Sequence, residues 1–228
     1  MGCAILVGAN GGIGRALASH LTASGNFTKV ICLARDSVPP LDICDSNSIA
    51  YAAQHITTLN IPIHLILIAT GLLSTAELQP EKSWRDLDAK NLEQLFAVNT
   101  IGPAIIMRYF LPLLPREGRC VFAALSARVG SIGDNQLGGW YGYRAAKSAL
   151  NQIIHTAAIE LSRKNPASVC VALHPGTVAT DLSDPFAKSG LDVQTPHESA
   201  SKLLAVIDGL SPENSGGFFD QFGKPIPW

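Results

Sequence analysis

Metal-ligand and disulfide patterns are missing from this chain. Its five cysteines and six histidines form no CxxC pair and no cluster with zinc spacing. Cys3, Cys32, Cys44, Cys120 and Cys170 are odd in number and mostly sit in apolar runs. They read as small core hydrophobes of a reducing compartment, so a cytoplasmic location is expected. Charge is also scarce: Asp, Glu, Lys and Arg make up 15% of the residues and the net charge is -1. That balance leaves no basic footprint for a nucleic-acid partner. Apolar residues reach 47%, yet no run approaches the roughly 18 that a membrane span needs. The opening Met1-Gly-Cys-Ala-Ile-Leu-Val7 lacks the charged flank and long apolar stretch of a signal peptide. No repeat, charge block or low-complexity linker interrupts the chain, so residues 1–228 are expected to form one domain.

Five short apolar runs are present: Ala4–Val7, Val30–Leu33, His64–Ala69, Cys120–Leu125 and Val169–Leu173. They are rich in Val, Ile and Leu and do not alternate with polar residues, as suits strands buried on both faces of a parallel sheet. Helical spacing marks Gly14–Ser24, Ser46–Leu59, Asn91–Leu114 and Tyr143–Ser162, with a last helix near Pro196–Gly209 and a closing strand at Gly217–Phe222. Alternating β and α elements predict an α/β fold: a Rossmann-type, doubly wound, mostly parallel sheet in a three-layer sandwich. After the second strand, Arg35-Asp-Ser-Val-Pro-Pro40 is too short and too proline-rich for a helical crossover. The third strand should therefore be vestigial, or the helix before it missing.

Two stretches carry chemistry. The first strand runs into Gly8-Ala-Asn-Gly-Gly-Ile-Gly14 and then a helix. Glycines at that junction allow a tight turn and let backbone approach a phosphate at a helix N-terminus, with Asn10 and Ile13 in the same loop. Tyr143 and Lys147 stand four residues apart, so they share one face of a helix. A fixed ammonium beside a phenol favours the phenolate, which suits a tyrosine acid or base. A third signal is Asn99 with Pro103 four residues on. Proline has no N–H to give the Asn99 carbonyl, and an orphan carbonyl calls for water, although the pair reads equally as a plain proline kink. After the second strand, Ala34-Arg35 stands where an acid usually reads the ribose of NAD. A guanidinium suits a 2′-phosphate, so NADP(H) is expected over NAD(H).

With GxxxGxG at its start and YxxxK near its middle, the chain resembles the short-chain dehydrogenase/reductase family over nearly its full length. Val98-Asn-Thr-Ile-Gly-Pro103, Gly139-Trp-Tyr-Gly-Tyr-Arg-Ala-Ala-Lys147, His174-Pro-Gly-Thr-Val-Ala-Thr-Asp181 and Gly216-Gly-Phe-Phe-Asp220 look like the C-factor and sniffer-type carbonyl reductase branch. The resemblance implies Tyr143 as acid/base, Lys147 on the nicotinamide ribose and lowering the tyrosine pKa, and Asn99 anchoring a relay water. It also implies cofactor contacts from Gly8, Gly12, Gly14, Arg35, Asp42 and Ile43, from Ala69, Thr70 and Gly71, and from Pro175, Gly176, Val178 and Thr180. Asp42 reads equally as a turn residue. Val7 and Ile68-Ala-Thr-Gly71 depart from the family pattern, and so does the catalytic serine. Its register, three residues before Gly130, falls on Ala127. Ser126 is preferred over Ser131 for that role, on the condition that the strand end is bulged or twisted.

The expected activity is hydride transfer between NADP(H) and a small carbonyl or alcohol substrate. Leu72, Leu73, Trp140, Leu182 and Phe186 would form an apolar pocket, and Asp181–Pro196 has the composition of a lid. The alternative is a regulatory dinucleotide-binding protein with little turnover, since the C-factor branch is linked to cell–cell signalling. The resemblance further implies a homodimer or homotetramer, while charge and hydropathy give no expectation of a nucleic-acid or membrane partner.

Overall fold

The computed structural model describes residues 2–182 and 193–228. In chain order its elements are β1 (Cys3–Val7), α1 (Gly12–Ala23), β2 (Lys29–Leu33), α2 (Ser46–Thr57), β3 (Ile63–Ile68), α3 (Ala89–Phe96), α4 (Gly102–Phe110) and β4 (Cys120–Leu125). Then follow α5 (Tyr141–Lys164), β5 (Ser168–Leu173), β6 (Thr177–Val178), β7 (Val193–Gln194), α6 (Pro196–Gly209) and β8 (Phe218–Phe219). Six strands pair in the order β2-β1-β3-β4-β5-β8, and every pairing is parallel. β6 and β7 form a separate two-stranded parallel ladder.

Strand alternation builds the three layers. Cys3, Ile5 and Val7 face one side with Ile66, Ile68, Phe122 and Cys170, under apolar residues of α2, α4 and α5. Ala4 and Leu6 face the other with Leu67, Val121 and Val171, under α1 and α6. All residues of β1, β4 and β5 are buried, which is why they read as unbroken apolar runs.

Between Leu33 and Ser46 the structure has neither helix nor strand, so β2 is the sheet edge and the third strand is absent rather than vestigial. Ser37 closes this short connection: its hydroxyl bonds the Ala34 and Pro39 carbonyls and receives the Ala34 N–H. The long helix expected over Asn91–Leu114 is divided by a π-helical turn at Ala97–Ile101, where the Gly102 N–H reaches back to the Ala97 carbonyl. That widening sits just before Pro103, which has no N–H for the regular ladder. By length and composition alone, Ala89–Leu113 could cross a membrane. Here Leu95, Ile106, Met107 and Phe110 are buried in the fold. The closing strand shrinks to Phe218–Phe219 because the Asp220 carboxylate accepts the N–H groups of Phe222 and Lys224, turning the chain away.

Candidate active site

The glycine loop is shaped by contact. A Cβ on Gly14 would lie 2.1 Å from the Gly8 carbonyl oxygen, and one on Gly12 would lie 2.7 Å from Thr180 Cγ2. Gly8 itself has φ +86°, the left-handed region, and abuts Ala69 and Thr70. The bare N-terminus of α1 thus opens between Thr70 and Thr180. Thr70 Oγ1 is buried there without a hydrogen-bond partner. A cradle of glycines at a helix start, with an orphaned hydroxyl in its wall, fits a bound dinucleotide.

From there the wall continues to the Tyr–Lys pair. A Cβ on Gly71 would stand 3.7 Å from Asn99 Oδ1, 3.7 Å from Leu182 Cδ1 and 3.9 Å from Lys147 Nζ. Fully buried Asn99 bonds Leu72 in both directions: Nδ2 donates to the Leu72 carbonyl at 2.7 Å, and Oδ1 accepts its N–H at 3.0 Å. Asn99 therefore pins the strand-end segment that follows Thr70. At the other margin, the Pro175 carbonyl accepts Gln194 Nε2 at 2.6 Å and Ser199 Oγ at 2.9 Å. Gly176 turns with φ +80°, where a Cβ would meet Gln194 Nε2 at 2.3 Å. Val178 is buried next to this turn.

Tyr143 and Lys147 lie in the first turns of α5, 7% and 2% exposed. Lys147 Nζ donates to the Leu125 carbonyl at 2.9 Å and stands 5.8 Å from the Tyr143 ring centroid. Burial governs both groups: it pushes the phenol pKa up and pulls the Lys147 ammonium down to about 7. An adjacent ammonium is expected to lower the tyrosine pKa; here desolvation by burial raises it, and Lys147 Nζ is directed at the Leu125 carbonyl. Around Tyr143 pack Leu73, Leu78 and Leu95, with Leu72, Ala127, Val129, Trp140 and Leu182 at their edge. Trp140 meets the Tyr143 ring edge-on at 6.3 Å between centroids. Phe186 lies outside the described residues, as does 183–192 of the segment read as a lid.

The serine expectation fails its own condition. β4 and β5 stay in register through Leu125 and Leu173, and the next N–H, that of Ser126, also bonds Leu173. With no bulge, alternation turns Ser126 onto α5, where its hydroxyl donates to Asn151 Oδ1 at 2.6 Å. Ala127, not Ser126, joins the apolar group around Tyr143. Ser131 binds the Pro227 carbonyl. The loop N–H groups of Gly130, Ser131 and Gly133 are also taken, by Ala127, Arg128 and Trp228 carbonyls.

Other cofactor expectations divide. Exposed Arg35 makes no ion pair among the described residues. Beside it, Asp36 accepts a hydrogen bond from Asn10 of the glycine loop, placing a carboxylate in the same corner. Asp42 is a turn residue: Oδ1 accepts the Cys44 N–H at 2.9 Å. Ile43 turns inward, since a Cβ on Gly102 would be 2.4 Å from its Cγ1. Ile13 and Ala69 pack against the α1/α6 side of the core. Sequence reasoning missed two buried residues here, Asn151 and Glu81. Asn151 was findable as Lys147 plus one helical turn. Glu81, whose carboxylate oxygens accept the Gly142 N–H at 3.3 and 3.2 Å, stands in a polar loop with no periodic signal.

Comparison with known proteins agrees with this geometry. A family model described as short chain dehydrogenase matches residues 2–190. The chain is 31% identical, over the full length of both, to 1-hydroxy-2-glutathionyl-2-methyl-3-butene dehydrogenase of Rhodococcus sp. strain AD45. It is 37% identical to C-signal of Myxococcus xanthus over 143 residues, 63% of this chain and 82% of that one. Among solved structures, the NADPH-bound carbonyl reductase from chicken fatty liver superposes with a TM-score of 0.87 at 26% identity, covering 99% of this chain and 94% of the other. Carbonyl reductase Sniffer of D. melanogaster shares the fold over both whole chains, with a TM-score of 0.87 at 22% identity. On this geometry and these likenesses, the chain belongs to the short-chain dehydrogenase/reductase family, on the side of the C-factor and carbonyl reductase branch.

Proposed function

We propose that this protein is an NADP(H)-dependent reductase of a small carbonyl compound, with Tyr143 as the acid. The observation that carries this reading is the buried Tyr143–Lys147 pair, with Lys147 Nζ reaching toward Gly71 beside Asn99. Burial holds the phenol protonated at neutral pH, the form that gives a proton to a carbonyl oxygen. The dinucleotide, when bound, supplies the hydride. Gly8, Gly12, Gly14 and Thr70 would hold its phosphate and ribose side, Lys147 and Pro175–Gly176 its nicotinamide side. Arg35, without an ion-pair partner among the described residues, supports NADP(H) over NAD(H), with Asp36 opposing it. The apolar residues around Tyr143 favour an uncharged substrate. We also assign the protein to the cytoplasm, on its free and mostly buried cysteines. An apolar groove of about 400 Å³ between α4 and α5, lined by Met107, Leu111, Ile153 and Ala157, supports a homodimer through that face.

The test is turnover on a panel of aldehydes and ketones with NADPH and with NADH, for the wild type and Tyr143→Phe. NADPH-dependent reduction lost in Tyr143→Phe is the expected outcome. A second reading, a regulatory dinucleotide-binding protein with little turnover, is favoured by Ala127 in the serine position and the similarity to C-signal. NADPH binding without turnover on any carbonyl supports that reading instead.

A further inference from the structure

Three charged side chains are buried among the described residues: Lys147, Asp220 and Glu81. Lys147 belongs to the site above, and Asp220 closes a turn and faces Arg128 at 3.7 Å. Glu81 is 2% exposed and has no ion-pair partner among the described residues. A carboxylate so placed requires compensating hydrogen bonds and positive potential. It obtains both from the start of α5. Its two oxygens accept the Gly142 N–H, while its own carbonyl accepts the Trp140 N–H at 2.6 Å. The 24-residue helix places its positive end there.

Glu81 replaces a cap that the local sequence does not provide. The N-cap residue of α5 is Trp140, which makes no side-chain cap bond and sits in the left-handed region at φ 54°, ψ 41°. Serine, threonine, aspartate or asparagine would ordinarily supply an oxygen at that place. Here the oxygen arrives from 61 residues away in sequence. Gly142 has no side chain where one would obstruct it: a Cβ would lie 2.8 Å from Glu81 Oε1 and 2.7 Å from Leu95 Cδ1. Each of these Glu81 bonds ends on the short step that carries Tyr143 and the aromatic ring beside it. A strained left-handed tryptophan next to the reacting phenol persists only where its surroundings hold it.

We propose that Glu81 is the positioning residue of the acid/base tyrosine. It fixes the first turn of α5 and the Trp140 ring together, so that phenol and apolar wall meet the substrate in one arrangement. The proposal rests on the reading of Tyr143 as the proton donor.

Glu81→Gln keeps an oxygen acceptor of nearly the same size, and Glu81→Leu removes it. In Glu81→Leu, kcat for carbonyl reduction is expected to fall roughly ten- to a hundredfold, as misplaced reacting groups do, with the NADPH KM within about twofold. Glu81→Gln should recover most of that loss. Trp140 emission, isolated by difference against Trp140→Phe, should shift in the Leu variant and stay in place in the Gln variant. That signal needs no turnover, so it tests the positioning even in a protein without reductase activity. A Leu variant with normal kcat, or with unshifted Trp140 emission, overturns the proposal. So does a loss of NADPH affinity as large as the loss of kcat. Should Glu81→Leu fail to fold, Gly142→Ala puts a methyl into the carboxylate's place and is expected to give the same split; normal kcat there overturns it equally.

Discussion

At the residue scale, the burial of two titratable groups has consequences that can be measured separately from activity. Lys147 titrates near 7 when folded, against 10.5 ordinarily. Between those values the unfolded chain binds more protons, so this site's contribution to stability rises with pH and is lowest below about 7. Lys147→Met should therefore stabilise the protein by about 2–4 kcal/mol near pH 6, with the gain shrinking toward pH 10. Thermal unfolding of both proteins across that range checks it. Tyr143→Phe should lower turnover roughly a hundred- to ten-thousandfold, the usual contribution of a positioned acid. Ser126 and Ala127 make opposite predictions. Ser126→Ala orphans the buried Asn151 acceptor and should cost about 1–3 kcal/mol of stability while leaving turnover within about threefold. Ala127→Ser adds a hydroxyl beside Tyr143 and should raise turnover roughly ten- to a thousandfold. Tyr143, Lys147 and the glycines were legible because their spacing is itself the chemistry. Ser126 was misread because direction on a strand depends on the absence of a bulge, which only the β4/β5 register reveals. Glu81 was invisible because a cap supplied from a distant loop leaves no local pattern.

At the element scale, strands were legible nearly to the residue, since burial on both faces imposes unbroken apolar runs. The missing crossover helix was also legible, from two prolines and a short count of residues, whereas the third strand, expected to be vestigial, is absent. The pair β6 and β7 was not, because two-residue strands carry no periodicity. The π-turn before Pro103 was half legible: proline announced an interruption without saying that the ladder would widen rather than kink. Close approach between elements gives a further test. A Cβ on Gly130 would be 2.8 Å from Lys147 Cβ and 3.0 Å from its backbone carbon, so Gly130→Ala must push the loop off α5. A cost of about 1–3 kcal/mol is expected in chemical denaturation, with turnover falling as Lys147 shifts. Where β1 and β2 end, Arg35→Asp should weaken NADPH binding roughly ten- to a hundredfold and NADH binding much less, in paired titrations.

For the whole molecule, α5 is the common member. Its first turns carry Tyr143 and Lys147, its middle supports Asn151, and its last turns line the groove shared with α4. If that groove is the face between two copies, Ile153→Arg should yield a monomer in sedimentation while the isolated fold still binds NADPH. The same helix then works as a lever. From Tyr143 to Lys164 it spans about 30 Å, so a tilt of about 2° around its far end moves the phenol by about 1 Å. A shift of that size at a reacting group is worth roughly a hundredfold in rate. Whatever sets the angle of the Glu160–Lys164 end, a second copy or an engineered crosslink, therefore displaces Tyr143 at the tip of a long arm, where Glu81 is the tether.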